Sequence, residues 1–289
     1  MLNMSTVTFA KVKMRLLIGM TFCVAACSLS VGTVAYVLRF KIDGVLFPRT
    51  INADTGAAET FRVYGKGQNE LMVRRYGSSQ YGCVVFFPGQ HGNEPKYERT
   101  LFPSFLAEGI SVFAVAYPGQ DGASGRGTTD EVRSLVQQAL LIVARTCSVE
   151  KTVLVGRSLG SMIAAYASRD TAVAGLVLEG ASPNLSTAIR MRLRSKSWLA
   201  PLSQLPISSL LSTDYSLGDA LSHRPDVPVI VIQGDQDILA PIAALKENGA
   251  LPADAHFIEV HGGTHSNAYI VAPRAHVESV LEILRRRQS

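Results

Sequence analysis

Metal-ligand spacing is missing from this chain of 289 residues: its four cysteines are Cys23, Cys27, Cys83 and Cys147, and no interval among them suits a metal site. There is no glycine-rich phosphate loop either, so the expectation is that no cofactor is required. A nucleic-acid motif is also absent. The net charge of +5 is scattered over the flanks of the first apolar run, the 190s and the Arg285-Arg286-Arg287 tail, without aromatic interleaving. That distribution fits a solvated surface with modest attraction to anionic lipid, not a nucleic-acid partner. No internal repeat or low-complexity tract appears. An apolar fraction of 47% is ample for a single core, so the starting expectation is one large α/β domain with an appendage.

The appendage is at the front. Lys11, Lys13 and Arg15 precede a stretch without charge from Leu16 to Leu38, which exceeds the roughly 20 apolar residues that a spanning helix needs. A secretory signal shares these features, and Val24-Ala25-Ala26-Cys27 resembles a lipoprotein cleavage box with Cys27 as the lipidated residue. The apolar run continues past Cys27 to Leu38, which favours an uncleaved anchor. Residues 1–15 are read as a basic segment, 16–38 as a transmembrane anchor or signal, 39–58 as a connector and 59–289 as the main domain. Three cations before the span against Arg39 and Lys41 after it put the amino terminus in the cytoplasm. The expected location is a membrane crossed once, the inner one in a bacterium, with the main domain on its outer side. Cys83 and Cys147 are read as buried thiols, which an oxidising compartment would allow to bridge if they lay close.

Beyond the connector, short apolar runs alternate with amphipathic stretches of helical length, the pattern of a mostly parallel sheet covered by helices. Strands are expected at Thr60–Tyr64, Leu71–Tyr76, Cys83–Phe87, Val112–Tyr117, Thr152–Val155, Gly175–Leu178, Val229–Ile232 and Phe257–Val260. Helices are expected at Tyr97–Glu108, Thr129–Arg145, Leu159–Ser168, Ile242–Glu247 and Arg274–Arg287. Residues 182–226 form a connection too long for its task, and such segments over a rigid sheet commonly carry binding function. This is a lid candidate.

Residues 153–167 read VLVGRSLGSMIAAYA, with Ser158 between Gly156 and Gly160 at the junction of a strand and a helix. A sharp turn there lifts a serine hydroxyl to the carboxyl edge of the sheet, and the flanking glycines remove side chains that would collide. A serine needs a base, and the base needs a carboxylate. After PVIVIQ comes GDQDILAP, with Asp235 and Asp237; after HFIEV comes HGGTHSNAY, with His261 and His265. Asp237 and His265 are preferred, because Asp235 directly follows Gly234 and shapes the turn, while His261 continues the strand. An oxyanion hole needs two amides. Leu159 supplies one; in the loop PGQHGNE, Gln90 donates the other if Pro88-Gly89 is the turn, and Asn93 if His91-Gly92 is.

Together these residues resemble the α/β-hydrolase superfamily, from about Phe61 to the carboxyl end. GRSLGS, GDQDILAP, GGTHSN and YPGQDGASG are similar to its membrane-anchored, short-lid serine hydrolases, a group that includes serine aminopeptidase-like and depalmitoylase-related enzymes. The resemblance implies an eight-stranded, mostly parallel sheet flanked by helices, with a small helical lid. It also implies Ser158 as nucleophile, Asp237 as acid, His265 as base, and Gln90 with Leu159 at the oxyanion hole. The family alone does not fix a substrate; the expected one is a small acyl ester or thioester, with a lipid-like ester among the candidates. An aminopeptidase or amidase is the alternative reaction, and a membrane-tethered scaffold without catalysis the alternative class. In the lid, Trp198 and Leu199 are candidates to line an acyl pocket. Arg190, Arg192, Arg194 and Lys196 either face phospholipid head groups or an acidic substrate, or are simply solvated.

Overall fold

The computed structural model describes residues 42–50, 55–211, 213–247 and 249–287, together with Met14, Met20, Thr21 and Tyr36. Contacts divide the chain into a unit ending at Ile42 and a larger one from Asp43 to Ser289. The expected span, Leu16 to Leu38, lies outside the described residues except for Met20, Thr21 and Tyr36. Among the described residues no helix is long and apolar enough to cross a membrane.

Eight strands form one sheet: β1 (Glu59–Tyr64), β2 (Glu70–Tyr76), β3 (Gly82–Phe87), β4 (Ile110–Ala116), β5 (Thr152–Arg157), β6 (Gly175–Glu179), β7 (Val229–Gly234) and β8 (His256–Val260). Their order is β1-β2-β4-β3-β5-β6-β7-β8, antiparallel where β2 meets β1 and β4 and parallel from β4 to β8. Each expected strand coincides with one of these to within two residues at either end. β3 and β4 read GCVVFF and ISVFAVA and are buried throughout, as strands covered on both faces must be.

The helices that matter for the site are α1 (Glu94–Thr100), α2 (Phe102–Ala107), α3 (Thr129–Val143) and α4 (Leu159–Asp170). The single helix expected over Tyr97–Glu108 is therefore two. Pro103 has no N–H to donate back to Arg99, so the first helix ends at Thr100 and a second starts around the proline. α3 buries Val132, Leu135, Val136, Ala139, Leu140 and Val143, one stripe of helical period, and Thr128 caps its start by accepting from the Glu131 amide at 3.3 Å.

The long connection 182–226 holds α5 (Leu185–Arg194), a 3₁₀ turn (Ala200–Gln204), α6 (Ile207–Leu210) and α7 (Leu217–Ser222). Its base is closed by backbone bonds from Leu185 N to Tyr215 O and from Leu217 N to Pro183 O, both 2.9 Å. Then come α8 (Ile242–Glu247), α9 (Ala268–Val271) and α10 (Pro273–Arg286). Val84, Phe86, Val153, Val155, Val177 and Ile232 alternate along their strands and so share one face of the sheet, where they form one apolar cluster with residues of α1, α2, α9 and α10.

Residues read as a connector contribute to this unit. Phe47 is buried and sets its ring edge-on against Tyr117 at 5.5 Å, and Asp43 Oδ1 accepts from the Thr129 amide at 3.1 Å. The reading of Cys83 and Cys147 as thiols is corrected: they form a disulfide, with Cα atoms 6.4 Å apart. The turn that follows α3 returns the chain to the buried start of β3, which brings the two together.

Candidate active site

β5 ends at Arg157 and α4 begins at Leu159, so Ser158 makes the whole turn alone, with φ 52° and ψ −118°. A residue with a Cβ holds such a conformation at a cost of about 1–3 kcal/mol, and only where its surroundings over-determine it. Here the Ser158 amide donates to Glu179 O at 2.8 Å, and its carbonyl accepts from both the amide and the hydroxyl of Ser161, at 3.0 and 2.6 Å. A Cβ at Gly156 would collide with the Gly160 carbonyl, and one at Gly160 with the carbonyls of Phe87 and Pro88. These are backbone atoms that cannot step aside, so both glycines are required by the turn.

His265 stands on the loop after β8 and Asp237 on the loop after β7, at the same carboxyl edge. His265 Nε2 lies 2.8 Å from Ser158 Oγ, and His265 Nδ1 lies 2.8 Å from Asp237 Oδ2. The Asp237 side chain is 1% exposed, and its other oxygen accepts from the amides of Leu239 and Ala240 at 2.9 and 2.8 Å. The carboxylate is thus fixed on both sides. Gly180 backs the imidazole: a Cβ there would stand 3.2 Å from His265 Cε1, and its φ of +59° also favours glycine. The other acid and histidine pair separately. Asp235 accepts from the Gly262 amide at 2.8 Å and lies 2.8 Å from Nδ1 of the fully exposed His261.

The loop 88–93 runs beside the serine. Gly89 is so close that a Cβ on it would sit 3.5 Å from Ser158 Cβ. Pro88 O accepts from the Tyr117 hydroxyl at 3.2 Å and Gln90 O from Gln120 Nε2 at 2.7 Å, while the Gln90 side chain donates to Val45 O. The Asn93 amide is directed elsewhere, to Asp121 Oδ1 at 3.3 Å. Glu94, next along, is buried against Arg74 and the Tyr76 hydroxyl; burial pushes its carboxyl up to about 7, against the pull of both partners. Leu159 is the first residue of α4, so its amide has no acceptor within the helix.

One set of residues escaped the sequence reading. Arg157 donates from Nη2 to the His265 carbonyl, approaches Glu179 Oε1 at 3.4 Å and lies over the Tyr269 ring at 5.0 Å. Glu179 in turn meets His276 Nε2 at 2.9 Å. This buried chain of charge ties the histidine loop to β5, β6 and α10. Its one signal in the sequence is a glutamate closing the otherwise apolar strand GLVLE. Of the lid candidates, Trp198 is 77% exposed and Leu199 is half-buried. Among the described residues no group of three or more His, Cys, Asp or Glu could hold a metal ion.

The arrangement can move a proton from a hydroxyl to an imidazole whose other nitrogen is held by a buried carboxylate. A family model described as "Alpha/beta hydrolase family" matches residues 84–277. Among solved structures, an esterase of Pyrococcus furiosus is similar with a TM-score of 0.64 and 18% identity, over 84% of this chain and 97% of that one. A thioesterase domain from the curacin biosynthetic pathway is similar with a TM-score of 0.55 and 17% identity, over 77% and 99%. Alpha/beta hydrolase domain-containing protein 10 from mouse has a TM-score of 0.54 and 15% identity, over 79% and 99%. At these identities the likeness is one of fold. No curated protein matches in sequence.

Proposed function

The chain belongs to the alpha/beta hydrolase family, and from that premise we propose that it is a serine hydrolase cleaving a carboxylic ester or thioester through an acyl-enzyme. The observation that carries the reading is the pair of 2.8 Å contacts joining Ser158 Oγ to His265 Nε2 and His265 Nδ1 to Asp237 Oδ2.

In the first half-reaction the Ser158 oxygen attacks the acyl carbon while His265 takes its proton. The tetrahedral oxyanion is met by the amides of Leu159 and Gln90. His265 then passes the proton to the departing alcohol or thiol as the acyl–leaving-group bond breaks. In the second half-reaction His265 takes a proton from water, the hydroxide attacks the acyl carbon, and the proton returns to Ser158 as the acid leaves. Asp237 stays ionised throughout and stabilises the imidazolium. The Gln90 register is favoured over Asn93 because Gly89 borders Ser158 while the Asn93 amide is committed to Asp121. Each such donor is worth about 10²–10³ in kcat.

The proposed location is the outer side of a membrane, tethered by residues 16–38. The disulfide between Cys83 and Cys147 supports this, since such bonds persist in oxidising compartments and are rare in a reducing cytoplasm.

A panel of p-nitrophenyl esters, acyl thioesters and aminoacyl anilides, assayed with wild type and Ser158→Ala, tests the reaction. Turnover of esters or thioesters that vanishes in the variant is expected. Faster turnover of the anilides would make the protein an amidase, and a folded wild type inert to all three would leave a scaffold.

A further inference from the structure

Between Gly180 and Thr213 the chain carries Arg190, Arg192, Arg194 and Lys196 and no aspartate or glutamate. All four lie in α5 or the turn that follows it. None makes an ion pair with a described residue. Arg190 and Arg194 bond from Nε to Ser203, at 3.2 and 3.5 Å, and Arg192, Arg194 and Lys196 are exposed. Two residues past Lys196 stands Trp198, the single tryptophan of the chain, 77% exposed, with Leu202 exposed one turn further on.

An indole left in water beside a block of unpaired cations is doubly unfavourable for a free surface. The cations repel one another, and a large apolar ring stays wet. Both costs disappear against a surface that is negatively charged outside and apolar just beneath. That is the interface of an anionic bilayer, where tryptophan settles at head-group level and lysine or arginine meets phosphate. An acidic protein face would answer the charges alone, and the uncharged run from Leu16 to Leu38 in the same chain points to lipid. We infer that the lid tip, from Arg190 to Leu202, docks on the anionic face of a lipid bilayer with Trp198 seated in its interface.

The lid springs from the end of β6, whose Glu179 is paired in register with Arg157, the residue before Ser158. Docking therefore turns the edge bearing Ser158 towards lipid, which deepens the proposed hydrolysis by naming a lipid ester as the substrate class. The docking itself stands whether or not Ser158 is reactive.

Because Trp198 is the single tryptophan, its fluorescence reports the lid alone. Full-length protein is reconstituted in vesicles of phosphatidylcholine, with or without phosphatidylglycerol. The expected result is an emission maximum blue-shifted only where phosphatidylglycerol is present and quenched there by brominated acyl chains. Raising salt to 1 M, where the screening length falls to about 3 Å, should reverse it. In the same reconstituted full-length protein, Arg192→Gln/Lys196→Gln should weaken lid docking about 25-fold, at roughly fivefold per cation near the leaflet. Identical emission in the two lipids, an unchanged shift in the double variant, or a shift produced by polyglutamate but not by vesicles would overturn the inference. Fluorophosphonate labelling of the same samples reads the chemistry separately, so failure to dock and failure to react are distinguishable.

Discussion

Ser158 and His265 stand 107 residues apart in the chain and 2.8 Å apart at Oγ and Nε2. Nothing local joins them: one is lifted by the turn after β5, the other hangs on the loop after β8, and Arg157 Nη2 on the His265 carbonyl adds a second tie between turn and loop. Their meeting depends on strand order and on buried charge.

Asp237 holds the imidazole through one oxygen and two amides through the other, so Asp237→Asn should preserve the loop and lose the tautomer control. A fall in kcat of about 10⁴ is expected, with KM changed only a few-fold. Steady-state kinetics on the best ester of the panel measures both. A variant retaining a tenth of wild-type kcat would remove Asp237 from the mechanism.

The turn at Ser158 stores strain that chemistry needs and stability does not. Ser158→Gly and Ser158→Ala both lose the hydroxyl, but only glycine accepts a φ of 52° freely. The glycine variant should therefore be the more stable by about 1 kcal/mol in denaturant unfolding. Gly156→Ala or Gly160→Ala should fail to fold, because the added methyl meets fixed carbonyls.

Glu179 sets a dependence on acid. Burial is the largest influence on its carboxyl and acts upwards, but the hydrogen bond and charge of His276 and the charge of Arg157 outweigh it and hold the group below 4.5. A depressed folded value means stabilisation that is complete above the unfolded value and lost as pH falls through the folded one. Melting temperature should drop below about pH 4.5, and Glu179→Gln should flatten that drop while destabilising the protein at neutral pH by about 3 kcal/mol. Parallel curves for the two proteins would refute the assignment.

The bond between Cys83 and Cys147 closes a loop of 64 residues. Replacing both cysteines with alanine should cost about 2–4 kcal/mol. In protein from an oxidising compartment, unfolding without reductant should leave both residues closed to alkylation. Modification of either in that state would contradict the pairing.

Much of this was legible in the chain because it is written in local pattern. Continuous apolar runs marked β3 to β7, and Gly156, Ser158 and Gly160 marked the turn, since each answers a steric demand within a few residues. The acids and histidines after β7 and β8 followed from their position at strand ends. Pro103 was an available warning that the helix over Tyr97–Glu108 would break. By contrast, the Arg157–Glu179–His276 chain was hidden, because Glu179 and His276 are 97 residues apart and meet only when α10 packs on the sheet. The same holds for Cys83 and Cys147, whose partnership is decided by where α3 ends relative to β3.

The most direct test is to treat full-length protein with a fluorophosphonate and locate the adduct by peptide mass analysis. The account predicts a single phosphonylated residue, Ser158, with labelling lost in Ser158→Ala and suppressed in His265→Ala. An adduct on another residue, or none on a folded and pure wild type, would contradict it.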